Sequence, residues 1–360
     1  MTVASVKPLL SGNLASSRRT ITGVMGQLAL AGLDDAQRLA ILGQIGLPPQ
    51  ATEDPEFPIS TAQELQALMA MVGKLQRRRR DITAYAIETF SGIGINHYGV
   101  LGLAMQHATT TLEAIAFFLR HPELSWGHSR IVVSRDADRL VFDFDMDTPV
   151  GDGGRQEYLR AYCITRDLVS VDRLIGDLIG RGLQPQAITL PFAEPPAPFN
   201  AAAWLPCPTT FAAPTATLLY PAAIESTKPI HASEPAFRRY ATLTRQFSRV
   251  LADDASLAEQ VTRLLWAYLP TPDREQVASM LAISGRTLAR KLAAEGTSFN
   301  ALLRKVHQER AMSFLRHTQL PLSVIAERMG YSDPAAFTRA FQSWTGIAPS
   351  RWRQRARAAP

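Results

Sequence analysis

An internal repeat near the C-terminus constrains this chain more than any other feature. The segment "VASMLAISGRTLARKL" (277–292) lies over "IAERMGYSDPAAFTRAF" (325–341), with one residue inserted in the second copy. Val277 matches Ile325, Ala278 matches Ala326, Leu281 matches Met329 and Ser284 matches Ser332. After the insertion Leu288 matches Phe337, Arg290 matches Arg339 and Leu292 matches Phe341. Each copy spaces its apolar residues for a helix, breaks at a turn, and resumes helical spacing after a serine. Gly330 suits a left-handed closure of the first helix, Ser332 or Asp333 the cap of the next, and Pro334 its first turn. Small Ala278 and Ala326 let the paired helices cross closely. The repeat predicts a duplicated helix-turn-helix.

The spacing between the copies has a geometric consequence. Residues 297–314 carry Phe299, Leu302, Leu303, Val306, Met312 and Phe314, as a connecting helix would. At 1.5 Å per residue it spans roughly 27 Å. One turn of B-DNA is about 34 Å. Such a helix, with its corners, can seat both second helices in consecutive major-groove segments on one face of a duplex.

Charge agrees with that expectation. Residues 231–360 hold 19 Lys and Arg against 10 Asp and Glu, whereas residues 1–230 hold 19 against 22. A basic region joined to a mildly acidic one suggests that only the C-terminal part meets a polyanion, and on charge alone a solvated basic surface competes equally.

Side-chain direction selects the candidate contacts. In the first unit Leu288 and Leu292 face inward, leaving Arg286, Thr287, Arg290 and Lys291 toward the groove or backbone, with Ser284 at the helix start. In the second, Phe337 and Phe341 face inward, leaving Ala335, Ala336, Thr338, Arg339 and Gln342, with Ser332 at the start. Arg and Gln can make bidentate contacts to base edges, and Ser or Thr can hold phosphates. For each arginine a phosphate contact or a solvated charge competes with base reading. Arg290 and Arg339 occupy equivalent places, so a shared structural role competes as well.

Upstream the pattern changes. Proline-rich stretches such as "LPFAEPPAPF" and "TKPIHASEP" fall between residues 184 and 235 and mark a boundary. Before them, residues 63–80 and 110–120 read as helices. "RIVVS" (130–134) and "RLVFDFDMD" (139–147) alternate like half-buried strands around a "RDAD" turn. Residues 155–181 form one long amphipathic helix, with a bend expected at Gly176, and "AITL" and "ATLLYP" read as short strands. The expectation is an α+β N-terminal domain followed by an all-α C-terminal domain with two helix-turn-helix units. Residues 1–20 read as a flexible start, 21–225 as the α+β domain, 226–254 as a linker with a helix, 255–354 as the tandem domain and 355–360 as a tail.

The stretches "GRTLARKLAAEGTSF", "RAMSFL" and "LSVIAERMGYSDPAAFTRAFQSWTGIAPSRWR" resemble the AraC/XylS-type bacterial transcription regulators over about residues 255–354. One departure is His307, where that family usually carries Arg before the "ERA" segment. "GVLGLAMQHATTTLEAIAFFLRH" (99–121), "FAAPTATLLYP" (211–221) and the long helix resemble the effector-type domain of one branch, often labelled arabinose-binding-like. The resemblance implies promoter DNA and RNA polymerase as partners, an unidentified small-molecule effector, a homodimer, and activation rather than repression. The alternative is a ligand-independent regulator whose first domain serves only dimerisation or protein contacts.

Other features exclude competing classes. No apolar run approaches the roughly 20 residues of a membrane span, and the N-terminus lacks the order of a signal peptide, so a cytoplasmic protein is expected. Cys163 and Cys207 stand far apart and read as reduced thiols. DNA-repair methyltransferases that carry this type of helix-turn-helix need a zinc-bound cysteine cluster, which two separated cysteines cannot supply, so no enzyme is expected. "SGIGINHYG" (91–99) lacks dinucleotide spacing, and His97, His107, His121 and His128 lack metal-ligand spacing, so no cofactor or metal is expected. "QRRRR" (76–80) reads as the solvated cationic end of a helix.

Overall fold

A computed structural model describes the chain apart from residues 1–6, 14–17, 54–56, 79, 147–152, 181, 253–255, 268–270, 282, 318–319, 332 and 359–360. The strands are β1 (Lys7–Asn13), β2 (Arg18–Thr20), β3 (Pro58–Ser60), β4 (Arg130–Asp136), β5 (Arg139–Asp145), β6 (Ala187–Thr189), β7 (Thr209–Thr210) and β8 (Ala216–Pro221). The helices of the first region are α1 (Ile21–Leu30), α2 (Asp35–Gln44), α3 (Thr61–Arg77), α4 (Ile82–Phe90), α5 (Gly99–Gln106), α6 (Thr111–Arg120) and α7 (Gly153–Ile179). Then α8 (Glu234–Ala252) leads to α9 (Leu257–Ala267), α10 (Arg274–Met280), α11 (Gly285–Ala294) and α12 (Phe299–His317). The chain closes with α13 (Leu322–Arg328), α14 (Pro334–Thr345) and α15 (Pro349–Ala358).

The main sheet has the order β1-β4-β5-β8-β6-β7, antiparallel except for the β6–β7 pair. Helix α7 covers one face with the stripe expected from its spacing, including Leu159, Tyr162, Cys163, Leu168 and Leu174, all buried. It runs unbroken through Gly176. An α+β region followed by an all-helical one is therefore what the chain builds.

Three local expectations are corrected. The first twenty residues are not simply frayed: Lys7–Asn13 pairs with β4, from Lys7 opposite Arg135 to Asn13 opposite Arg130. "KPLLSGN" shows no alternation and contains Pro and Gly, which an edge strand tolerates because only one side of it must pair. Helix α15 runs into the residues expected as a tail, as far as Ala358. Finally, β4 and β5 are buried on both faces rather than one. Ile131 and Val133 point into the main core, while Val132 on the other face packs with Ala311, Phe314 and Ile325 of the helical region.

Helix α8 lies along α5. Ala241 is buried in the main core and the Thr244 hydroxyl donates to the Val100 carbonyl at 3.3 Å. The segment expected as a linker thus adheres to the first region before the chain passes to α9.

Candidate nucleic-acid interface

Each helix-turn-helix unit has its own apolar core, and α12 serves both. Val277, Ala278, Leu288 and Leu292 pack with Val261 and Leu265 of α9 and with Phe299 and Val306 of α12. Ile325, Ala326, Met329, Phe337 and Phe341 pack with Ala311, Phe314 and Leu315 from the other half of α12. Nineteen residues give that helix a length of roughly 28 Å.

Turn chemistry fixes each second helix. Gly330 has φ +81, its N–H donates to Glu327 O at 2.9 Å, and the Tyr331 N–H donates to Ala326 O at 2.9 Å. That paired closure is a Schellman motif, which glycine permits without a Cβ clash. Asp333 then caps α14, accepting from the Ala336 N–H at 2.8 Å, with Pro334 in its first turn. In the first unit Ser284 caps α11 by accepting from the Thr287 N–H at 3.2 Å. Asp333 is therefore the counterpart of Ser284, which places the inserted residue before the cap. Ser332 lies outside the described residues.

The caps set the outward faces. On α11, Arg286 and Arg290 are exposed opposite buried Leu288 and Leu292, and Lys291 is exposed at the flank. Thr287 is half-buried, its hydroxyl 2.9 Å from that of Ser284. On α14, Ala335, Arg339 and Gln342 are exposed opposite Phe337 and Phe341. Thr338 is half-buried and its hydroxyl donates to Pro334 O at 2.8 Å. Helical spacing puts Arg286, Ala289, Arg290 and Ala293 on one face and Ala335, Thr338, Arg339 and Gln342 on the equivalent face. Ala289 and Ala293 are exposed there and were missed from sequence, although counting three and four residues on from Arg286 finds them. Arg351 and Arg355 on α15 add further exposed positive charge.

Not every arginine nearby is free to meet DNA. Arg310 is buried and donates to Leu265 O and to the Thr271 hydroxyl, both at 3.1 Å. Arg353 donates to Leu320 O at 2.7 Å. These two hold helices together. His307, half-buried beside Arg310, has its pKa pushed down to about 4, by desolvation first and then by that guanidinium.

Two helix-turn-helix units joined by one continuous helix, with a cationic outer face and an α+β region before them, define a DNA-binding transcription regulator. The chain belongs to the AraC family. The arabinose-binding domain of AraC transcription regulators, N-terminal, matches residues 36–228, and a helix-turn-helix domain matches residues 277–355. An uncharacterized HTH-type transcriptional regulator of Mycobacterium tuberculosis is 26% identical over 343 residues, covering 88% of this chain and 90% of that protein. The ornithine utilization regulator of Pseudomonas aeruginosa is 43% identical over 99 residues, 27% of this chain and 29% of that one. Among solved structures, the transcriptional regulator CdpR from Pseudomonas aeruginosa aligns over 88% of this chain and 96% of its own, at 22% identity and a TM-score of 0.41.

Proposed function

We propose that this regulator activates transcription in response to a small molecule held by its N-terminal region, and that it works as a cytoplasmic homodimer that contacts RNA polymerase at the promoter. The observation that carries the effector reading is helix α8. It packs on α5 through Ala241 and Thr244, and only four residues separate its last residue, Ala252, from the first of α9. A ligand that moves α5 or the last turns of α8 thereby changes the posture of the DNA-reading region, to the extent that it binds the two postures unequally. Activation rests on the resemblance to AraC/XylS-type regulators. The cytoplasmic reading draws on the unpaired Cys163 and Cys207 and on the lack, among the described residues, of a helix long and apolar enough to cross a membrane.

For DNA, Arg286, Arg290, Arg339 and Gln342 are the proposed base readers. Ser284, Thr287, Lys291, Ser332 and Thr338 are proposed at the phosphates, and Ala335 at a thymine methyl. Effector dependence is tested by titrating the full chain against its own upstream DNA with and without a metabolite extract from its host. A shift in affinity supports the reading, and identical curves oppose it. A second reading, in which the first region only pairs copies of the chain, draws on Leu243 and Phe247, which expose side chains one turn apart on α8. In that case the same titration shows dimer-dependent binding that no extract alters.

A further inference from the structure

A cavity of about 230 Å³ opens where α1, α3, the segment 122–126 and the end of α8 converge, roughly the space of eight waters. Its polar wall is Glu64, fully buried on α3. Glu64 Oε2 lies 2.9 Å from Arg19 Nε and 3.2 Å from His128 Nε2. Its other oxygen, Oε1, has no hydrogen-bond donor among the described residues. Arg19 is anchored beside it, its terminal nitrogens donating to the Ser125 and Gly127 carbonyls. Burial alone would raise the Glu64 pKa, but Arg19 and His128 outweigh it and hold the carboxyl below its ordinary value, ionised.

Aromatic surface completes the site. Tyr98 and Trp126 both line it, with ring centroids 6.0 Å apart. The indole lies along α1 over Gly23 and Gly26. A Cβ at Gly23 would sit 3.5 Å from Trp126 Cδ1, 3.8 Å from Trp126 Nε1 and 3.8 Å from Glu64 Oε1. So the lone carboxylate oxygen and the indole converge on the gap left by one glycine. Glu123 adds a second carboxylate to the lining, one of its oxygens 3.3 Å from His121 Nδ1. Phe247 of α8 also lines it, and the next residue, Ser248, is 2.8 Å from His121 Nδ1.

We infer that this cavity binds a small organic amine, whose ammonium donates to Glu64 Oε1 beside the Trp126 and Tyr98 rings and whose apolar body reaches Leu124 and Phe247. An acceptor with no donor among the described residues, on a buried ionised carboxylate between aromatic faces, is what a cation with a short apolar body recognises. The inference deepens the effector reading above and rests on it for the consequence of binding, since a ligand touching Phe247 touches α8 just before the DNA-reading region.

The test is calorimetric titration of the full chain with benzylamine, benzyl alcohol and phenylacetate, repeated on Gly23→Ala and Glu64→Gln. The alanine methyl makes only ordinary contacts and favours a helix, so Gly23→Ala should melt no lower than the native chain. Benzylamine is expected to bind one to one, at least tenfold tighter than benzyl alcohol, with phenylacetate not binding, and Gly23→Ala to lose at least tenfold. Tightest binding by phenylacetate, no saturable benzylamine binding, or benzylamine binding that folded Gly23→Ala leaves unchanged would overturn it. DNA affinity is measured in parallel. Amine binding as described without any change in DNA affinity supports the site and sinks the effector reading. DNA affinity that responds to benzylamine equally in the native chain and Gly23→Ala sinks the site and leaves that reading standing.

Discussion

His307 presents its imidazole edge-on to the indole of Trp344, ring centroids 6.0 Å apart and planes inclined by 65°. Its Nε2 lies 3.1 Å from the Thr271 hydroxyl, just before α10. One side chain of α12 therefore touches the approach to the first unit and the end of the second recognition helix. A cation here would stand beside buried Arg310, whereas a neutral ring does not compete with it.

We predict an acid-sensitive contribution from that ring. An unfolded histidine titrates near 6.5, and His307 in the fold near 4. Between those values the unfolded chain takes up a proton that the native chain refuses. Stability is thus fully present above about pH 6.5 and falls as pH drops toward 4, by up to about 3 kcal/mol. Denaturant unfolding from pH 7 to pH 4 should show the loss, and His307→Asn should flatten it. An equal slope in both proteins would refute the assignment.

Asp172 works in the opposite sense. Burial raises its carboxyl to about 6, although the Tyr220 hydroxyl donates to Oδ1 at 2.7 Å. A raised folded value means that stability is greatest at low pH and is lost as pH rises through about 6. Asp172→Asn keeps an acceptor for Tyr220 without the buried charge. It should stabilise the protein by about 1–3 kcal/mol at pH 8 and by little at pH 4. Thermal melts at the two values check both sign and window.

What was legible from sequence follows the distance between partners. The second unit could be read closely because Gly330, Asp333 and Pro334 act on backbone within a few residues of themselves. The face of α11 followed from Leu288 and Leu292 alone. By contrast Glu64 meets Arg19 and His128 only through the fold, so neither periodicity nor spacing could unite them. A half-buried strand is expected at Val132, and nothing local says that Ala311 and Phe314 cover its outer face. The pairing of β1 was hidden for the same reason.

Gly102 is a packing requirement rather than a flexible point. A Cβ there would stand 2.1 Å from the Ile95 carbonyl oxygen. Although alanine favours a helix, Gly102→Ala should destabilise by roughly 1–3 kcal/mol or more, because backbone must shift. Chemical denaturation checks it, and a neutral result would mean that the turn before α5 yields easily.

Base reading and phosphate contact separate by their sequence dependence. Arg286→Ala should cost about 1–3 kcal/mol and relax preference at one position if the side chain reads a base. Lys291→Ala should weaken binding evenly across sequences and lower the salt slope by about one. Competition binding against a substituted operator series distinguishes the two patterns for each residue.

The most direct test is of the two units acting together through α12. The protected site is mapped by footprinting with the full chain, and about five base pairs are then inserted between its two major-groove segments. Half a helical turn rotates one segment to the far side of the duplex. Two recognition helices fixed on one rigid spacer predict a loss of at least about tenfold in affinity, with Arg339→Ala no longer weakening binding to the altered site. Unchanged affinity for the lengthened site, with Arg290→Ala and Arg339→Ala each still costing what they cost on the native one, would contradict it.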